Sequence, residues 1–489
     1  MSRFARANRV VAWLSATCAF AIIGCTWAMA TARYGGPDEP AHIIRSAAVS
    51  HGDLLGDSVR RLVPGYRQVS VAAPLASGDP GCFRHDEDAT ADCAVVVGGS
   101  RNRVVATSAG TAPPWYYLAV GWTTRAFSSG RDAMGYRIAS VLLCAGVLGY
   151  AMARCLAIGR GAWLLAAFTP SAWFLFGVVG TSGIEIALIS LAMVEAIVRF
   201  HDHDVSLLRV MIPLVACLLI RPAAVIDIAV VALLIAPTLA PITKRTIAMI
   251  AVPLAAAAAL TIVWNRWTGL VVHDRRTADT DSFAGATWRS LHGIPTTAHQ
   301  AVGALGWNEF FAPHLAQLVW IATLAFAVYW VVIRTSDHWW HLRWLTLALL
   351  LPTVIEVTLH HRIGEVWQGR YSIPFAMAGV LYAARAESPR RSIQRALVGG
   401  AAIAEVLTLW NTIRRYSVGL DGSLTFRHAA WSPGLDAWLL MAVNAAAVTW
   451  LATVALSLPV SASASADGST AVLCADVDED QLLIATGND

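Results

Sequence analysis

The stretch VVAWLSATCAFAIIGCTWAMATA, residues 10–32, decides the fold class, because its 23 positions contain no charged residue. A helix of about 20 predominantly apolar residues spans the hydrocarbon core of a bilayer. Similar apolar runs recur along most of the chain, in which 56% of the 489 residues are hydrophobic and 14% are charged. Soluble domains carry about 25% charged residues. The composition therefore predicts an all-α, polytopic integral membrane helical bundle and excludes a string of soluble domains.

Three arginines, Arg3, Arg6 and Arg9, precede this first apolar run. A cleaved signal peptide is one interpretation, because AMATA at residues 28–32 resembles a cleavage site. The run is, however, longer than the about 7–15 residues of a signal-peptide core. We therefore expect an uncleaved first helix whose positively charged N-terminus stays in the cytoplasm.

The alternation of arginine-rich and arginine-poor loops predicts about twelve membrane-spanning helices, within a range of about 10–13, and places both termini in the cytoplasm. The membrane domain covers residues 1–457, and 458–489 is predicted to be a disordered cytoplasmic tail. Residues 33–136 form a large first extracytoplasmic loop with interfacial helices. The expected spans are 10–31, 137–156, 161–180, 183–199, 206–221, 223–241, 246–264, 314–334, 344–359, 372–386, 396–412 and 435–457.

Two of the eight cysteines, Cys82 and Cys93, lie together in a polar part of this first loop. Extracytoplasmic loops are exposed to oxidising conditions, so a disulfide between the two is plausible. Two unpaired thiols remain the alternative.

The motif GGPDEPAHIIRSA, residues 35–47, follows the first span directly. If Pro40 opens a helix and Glu39 caps it, the spacing lets His42 meet either Asp38 or Glu39 on one helix face. Arg45 lies one turn further on. The alternative is that the two acids interact favourably with the helix dipole and that His42 is solvated.

A second polar group lies far along the chain, in EVWQGRYSIP at residues 365–374, which contains Gln368, Arg370 and Tyr371. An arginine at a membrane boundary can bind a phosphate bidentately, although it can also be an interfacial arginine within an aromatic belt. Glu185, in SGIEIA, and Arg221 either line the same cavity or cap their own helices.

Trp307, Asn308 and Glu309 form a third polar group, directly before the span at 314–334, where a site and a plain loop are equally good interpretations. The predicted topology places all these groups on the outer side. No GxxxxGK[ST], HExxH or GxSxG motif is present. No basic cluster is interleaved with aromatic residues, so nucleic acid is not an expected partner.

The motif order GGPDEPAHIIRSA, a looped cysteine pair, APPWYY, SGIEIA, GWNEF, WQGRYSIP and WSPG resembles an uncharacterised family of bacterial multi-pass membrane proteins. That family is catalogued as a domain of unknown function and is grouped with the GT-C glycosyltransferases. The resemblance covers about residues 10–440. It implies a GT-C-like fold in the bacterial cytoplasmic membrane.

The resemblance also implies an activity: transfer of a sugar from a polyprenyl-phosphate donor to a cell-envelope glycan or lipid acceptor, at the outer membrane face. In such enzymes an acid of the first outer loop is the general base or a metal ligand, which here maps onto Asp38, with Glu39 beside it. This assignment leaves open whether a divalent metal, Mg²⁺ or Mn²⁺, is a cofactor. Arg370 is the expected cation for the departing lipid phosphate, and Arg221 is the second candidate.

Two other functions remain open. A transporter or flippase of a lipid-linked envelope glycan would carry ionisable groups at the middle of the membrane, and many transporters contain internal repeats, which we do not detect here. A non-catalytic envelope assembly partner would tolerate replacement of Asp38 and Arg370.

Overall fold

A computed structural model of the chain describes residues 3–58, 66–202, 205–236, 243–269, 282–334, 338–363, 367–385 and 390–457. These residues are mostly helical, and the predicted tail at 458–489 lies outside them. In chain order the helices are α1 Arg3–Ala30, α2 Glu39–Ser50, α3 Pro114–Phe127, α4 Ala133–Ala157, α5 Gly161–Ala167, α6 Pro170–Gly177, α7 Thr181–His201, α8 Leu208–Ile220, α9 Val225–Ile235, α10 Lys244–Thr268, α11 Phe283–Gly303, α12 His314–Arg334, α13 His338–Ile363, α14 Ile373–Ala383, α15 Arg391–Val418 and α16 Ala437–Ala455.

Seven helices within the described ranges are long and apolar enough to cross a membrane: Asn8–Ala30, Ala133–Ala157, Thr181–His201, Lys244–Thr268, His314–Ile333, Arg391–Val418 and Ala437–Ala455. Four shorter apolar helical segments accompany them: Leu208–Ile220, Pro222–Ile235, Leu350–Leu359 and Ile373–Ala383. The architecture is therefore that of a multi-pass membrane protein, with fewer full-length spans than the twelve predicted.

Two predicted segments differ from the structure, and the sequence explains the first of them. The span expected at 161–180 is broken into α5 and α6, because Pro170 cannot continue a helix and Thr169 instead caps α6 by accepting a hydrogen bond from the Ala172 N–H. The region 265–312, expected to be a loop, contains α11.

The first loop also contains strands, so the prediction of an all-α chain is wrong in this detail. Three antiparallel strands pair in the order β1–β2–β3: β1 Asp57–Ser58, β2 Arg67–Ala72 and β3 Asn102–Thr107. A hairpin of β4 Ala304–Leu305 and β5 Phe310–Phe311 precedes α12. Strand β2 alternates polar and apolar residues and buries Val69 and Val71, which is the period of a half-buried strand.

Helix α1 is central to the bundle, since it packs against α4, α6, α15 and α16. Glycines allow these close approaches: a Cβ on Gly149 of α4 would collide with Thr17 of α1, and one on Gly177 would collide with Trp27. Small residues serve this purpose at helix interfaces in membranes.

One end of the bundle is held together by a fully buried arginine at the start of α4. Arg137 donates hydrogen bonds to the carbonyls of Ala28, Thr31 and Ala32 at the end of α1, at 2.6–2.7 Å. These bonds satisfy carbonyls that a helix end leaves without intrahelical partners. The chain that leaves α1 is thereby fixed against the start of α4.

A second buried arginine fixes the cysteine-containing loop at the same end. Cys82 and Cys93 form a disulfide with a Cα–Cα distance of 6.1 Å. Arg415, near the end of α15, donates to three carbonyls of the enclosed loop: Phe83, Asp86 and Ala89. The first loop therefore forms a structured cover over this end of the bundle.

Candidate functional site

Asp38 occupies a strained position at the start of α2. It is the residue before the helix and has a left-handed backbone, with φ at 58°. The helix starts at Glu39, one residue earlier than predicted, because Pro40 fits within its first turn. The Asp38 side chain does not cap the helix, and its Oδ2 instead accepts a hydrogen bond from Arg370 Nη2 at 2.9 Å. The side chain is 50% exposed, so this carboxylate is accessible.

Glu39 has the opposite environment, although it is the next residue. Its side chain is fully buried and accepts two hydrogen bonds from Arg137, at 2.7 and 2.6 Å. The backbone N–H groups of Val179 and Gly36 donate to the same carboxylate, at 3.1 and 3.2 Å. Both oxygens are thus occupied, which removes Glu39 from the candidate bases and makes it the residue that ties α2 to α4 and to the α6–α7 turn.

The accessible carboxylate of Asp38 faces a cavity of about 200 Å³ between the start of α2, the α6–α7 turn, the end of α8 and the start of α14. We call this space the phosphate cavity, because two arginines line it. Four of the other residues expected at the site also line it: His42, Arg221, Arg370 and Tyr371. Asp38 and Arg370 are 332 residues apart in sequence, so the fold brings two distant parts of the chain together here.

Two guanidinium groups in this cavity contact the same aromatic ring, that of Tyr371. The Cζ atoms of Arg221 and Arg370 lie 5.0 and 5.1 Å from its centroid. Arg221 is paired with Glu185, which is 2% exposed and lies behind the cavity, and also donates to Ser182 Oγ at 3.2 Å. Because a guanidinium has five N–H donors, both arginines keep donors for an anion after these contacts. The cavity is therefore suited to a phosphate group.

His42 lines the cavity as a neutral ring. Its Nδ1 lies 2.9 Å from the Tyr117 hydroxyl, and the two rings stack at 5.8 Å. Burial lowers the pKa of His42 from 6.5 to about 4; the positive charges of Arg370 and Arg221 also lower it, while Asp38 opposes the shift. The expected contact between His42 and an acid is thus replaced by the contact with Tyr117.

The Tyr117 phenol is itself enclosed, and burial raises its pKa, so it keeps its proton. Its hydroxyl can therefore donate to Nδ1 of His42, which leaves the ring proton on Nε2. A Cβ on Gly180 would lie 4.0 Å from this Nε2, so the cavity wall next to it is backbone.

Two other expected binding residues lie outside the cavity lining. Arg45 is fully buried, donates to the Ala112 carbonyl at 2.9 Å and packs its guanidinium 5.9 Å from the Tyr117 ring. Gln368 precedes the short turn Gly369–Tyr371 and does not reach the lining. Arg45 therefore supports the site from behind, and neither residue lines the cavity.

The residues present do not fit a resident Mg²⁺ or Mn²⁺ at Asp38 and Glu39. Mg²⁺ takes about six oxygen ligands and is usually held by one or two carboxylates together with waters and substrate phosphates. Glu39 has no oxygen to offer, and Asp38 is paired with Arg370. Within the described ranges, no three His, Cys, Asp or Glu side chains form a possible metal site.

Three residues of the site were not predicted. Arg137 lies at the start of α4, the end that the predicted topology places outside and where an arginine is not expected, so its position was a usable signal. Tyr117 was visible as part of APPWYY. Asp227 hydrogen-bonds Glu185 within the bundle, and no sequence spacing links these two residues.

Comparison with known proteins gives one match. A family model described as "Predicted membrane protein (DUF2142)" matches residues 20–378, which is well over half of the chain. No curated protein and no solved structure matches the chain.

Proposed function

The chain belongs to the DUF2142 family of predicted membrane proteins, and we propose that it is a GT-C-type glycosyltransferase of the bacterial cytoplasmic membrane. It transfers a sugar from a polyprenyl-phosphate donor to a cell-envelope acceptor at the outer face. In this proposal about twelve segments cross the membrane and both termini are cytoplasmic, following the arginine distribution. The observation that carries it is the meeting of one accessible carboxylate, Asp38, with two guanidinium groups, Arg221 and Arg370, in one cavity.

In this proposal the two arginines bind the phosphate of the donor. A polyprenyl-phosphate sugar carries its negative charge on the phosphate that leaves, and this charge grows as the bond to the anomeric carbon breaks. Arg221 and Arg370, both in contact with the Tyr371 ring, provide fixed positive charge for that phosphate. Such preorganised charge stabilises the transition state more than the ground state.

In this proposal Asp38 is the base that takes the proton of the acceptor hydroxyl. Oδ2 is held by Arg370, so Oδ1 remains for the hydroxyl of the acceptor. As the hydroxyl oxygen forms its bond to the anomeric carbon, the bond from that carbon to the phosphate oxygen breaks. The phosphate leaves with the electron pair, and the hydroxyl proton passes to Asp38. The step balances without a nucleotide and without a metal.

The test uses the purified protein in lipid nanodiscs with radiolabelled polyprenyl-phosphate sugars and an envelope extract as acceptor. Asp38→Asn is expected to abolish transfer. The matched control is Asp132→Asn, because Asp132 also pairs with an arginine, Arg33 at 3.3 Å, but is 66% exposed and lies outside the phosphate cavity. Transfer by Asp38→Asn at the wild-type rate would exclude Asp38 as the base.

A transporter of lipid-linked glycans is the second candidate, because one group of charges lies among the helices. Glu185, Arg221 and Asp227 interact with one another there, and ionisable groups in such positions often mark transport pathways. A deletion strain distinguishes the two functions. Loss of one defined sugar linkage supports the transferase, whereas accumulation of the intact lipid-linked glycan at the inner face supports transport.

A further inference from the structure

A second and larger cavity, of about 700 Å³, lies next to the phosphate cavity. Its walls are the first turn of α2, the end of β3, the segment 75–80, Arg84 and Trp307. Asp38 lines both cavities and is therefore the residue between them. The volume falls within the range of about 300–1,000 Å³ that is usual for small-molecule sites. We call this second space the outer chamber.

The WNE sequence at 307–309 builds one wall of the outer chamber. The Trp307 indole donates from Nε1 to the Tyr34 carbonyl at 3.0 Å, which fixes the ring. The guanidinium of Arg84 lies 4.7 Å from the centre of this ring. Glu309 accepts a hydrogen bond from the His85 N–H at 3.0 Å, which holds the turn that carries Arg84. The result is an aromatic ring with a guanidinium over one of its faces.

Backbone strain is concentrated around the same chamber. Six non-glycine residues in the described ranges have a left-handed backbone, and four of them line the chamber or adjoin a lining residue: Tyr34, Asp38, His85 and Asn308. Such conformations are energetically unfavourable and persist where the surrounding structure enforces them, often at functional sites. Here the strained residues direct Asp38, Arg84 and Trp307 towards one space.

The remaining lining mixes polar groups with apolar residues of α2, of β3 and of the segment 75–80. Asp79, Ser108 and the 39%-exposed Tyr66 lie at the rim, and Thr107 lies deeper. A lipid chain prefers a continuous apolar lining, which this chamber does not have. A sugar ring presents C–H groups that pack on the negative face of an aromatic ring, and hydroxyls that pair with charged and polar side chains.

We propose that the outer chamber binds a saccharide, with its ring on Trp307 and one hydroxyl at Asp38. This ligand is the acceptor of the transfer, so its role rests on the proposed function, whereas its binding does not. The geometry then gives the reaction two adjoining compartments, one for the donor phosphate and one for the acceptor sugar, with the base between them.

Saturation-transfer NMR tests this binding on the full-length protein in nanodiscs free of glycoside detergent. The probes are methyl glycosides of glucose, mannose, galactose, rhamnose and N-acetylglucosamine, and oligosaccharides released from the host envelope. Ser108→Trp fills the chamber from its exposed rim and is expected to lower the affinity at least about tenfold. Val104→Trp is the matched control, because Val104 lies on β3, four residues before Ser108, is 67% exposed and is outside the lining.

Arg84→Gln provides a second variant that adds no bulk, and it is expected to weaken binding about tenfold by removing a hydrogen bond to a charged group. Binding of farnesyl phosphate to the phosphate cavity, followed by ³¹P NMR, should be unchanged in all three variants. The inference is overturned if none of the saccharides binds, or if Ser108→Trp and Val104→Trp bind them equally.

The failure of this inference and that of the proposed function differ in outcome. Saccharide binding that Ser108→Trp abolishes, in a protein that transfers no sugar, supports the chamber and rejects the transferase. Transfer to an acceptor without any saccharide, unaffected by Ser108→Trp, rejects the chamber and leaves the transferase in place.

Discussion

Replacing the two adjacent acids one at a time should give opposite results. Asp38→Asn keeps the size of the side chain and removes its ability to accept a proton. Its carboxylate is 50% exposed, so losing the ion pair with Arg370 should change the free energy of unfolding by no more than about 1 kcal/mol. Transfer should fall about 10²–10⁴-fold, the usual contribution of a general base.

Glu39→Gln, by contrast, leaves the charge of Arg137 buried without its partner. Both side chains are almost completely buried, at 2% and 0% exposure, and breaking a pair of this kind costs about 3–5 kcal/mol. We therefore expect poor yield and an early unfolding transition, while the protein that does fold should still transfer sugar, since Glu39 does not line the cavity.

The assay measures transfer and the thermal unfolding midpoint on the same nanodisc preparations, with rates expressed per folded molecule. The reasoning is refuted if Asp38→Asn unfolds early, or if Glu39→Gln folds like the wild type and loses transfer. Either result would mean that the buried and the exposed acid have the reverse of the roles assigned from their contacts.

Three further predictions concern the same end of the bundle. Arg370→Lys and Arg221→Lys keep the charge but lose the planar fork, so each should weaken farnesyl phosphate binding about tenfold, as titration followed by ³¹P NMR would detect; unchanged affinity would exclude bidentate phosphate binding. Because the pKa of His42 is lowered from 6.5 to about 4, the unfolded state binds the extra proton first, and stability should fall as the pH drops from 6.5 towards 4. His42→Gln should flatten this part of the pH profile of the unfolding midpoint. An unchanged profile would contradict the pKa shift of His42. Removing the disulfide by Cys82→Ser with Cys93→Ser should cost about 2–4 kcal/mol, seen as a lower unfolding midpoint that no longer responds to reductant, whereas a reductant effect that persists would place the sensitive bond elsewhere.

The membrane architecture could be predicted because it depends on composition over long windows. Spans such as α4, α7 and α10 are continuous apolar runs, and their existence follows from the cost of exposing polar backbone to lipid. The break at Pro170 and the strand β2 were also visible, the first as a proline and the second as alternating residues. The apolar content of 161–180 hides the break, and the loop-like composition of 33–136 hides the strand.

The site was only partly predictable, because spacing along one helix describes neighbours on that helix and nothing else. Topology placed Asp38, Arg221 and Arg370 on one side of the membrane, and the structure brings them into one cavity. The division of roles between Asp38 and Glu39 depends on Arg137, which is 98 residues away from Glu39. No local rule could assign that contact, and the same holds for the contact of His42 with Tyr117.

The contacts of Arg137 also have a consequence for biogenesis. A membrane protein is inserted from its N-terminus, so α1 and the motif after it emerge well before α4. Until Arg137 arrives, Glu39 and the last carbonyls of α1 lack their partner, and α2 cannot be fixed against the bundle. Asp38 gains its partner later still, because Arg370 is synthesised 332 residues after it. The cavity is thus completed among the last steps of assembly, and a chain that stalls before Arg370 is inserted lacks it.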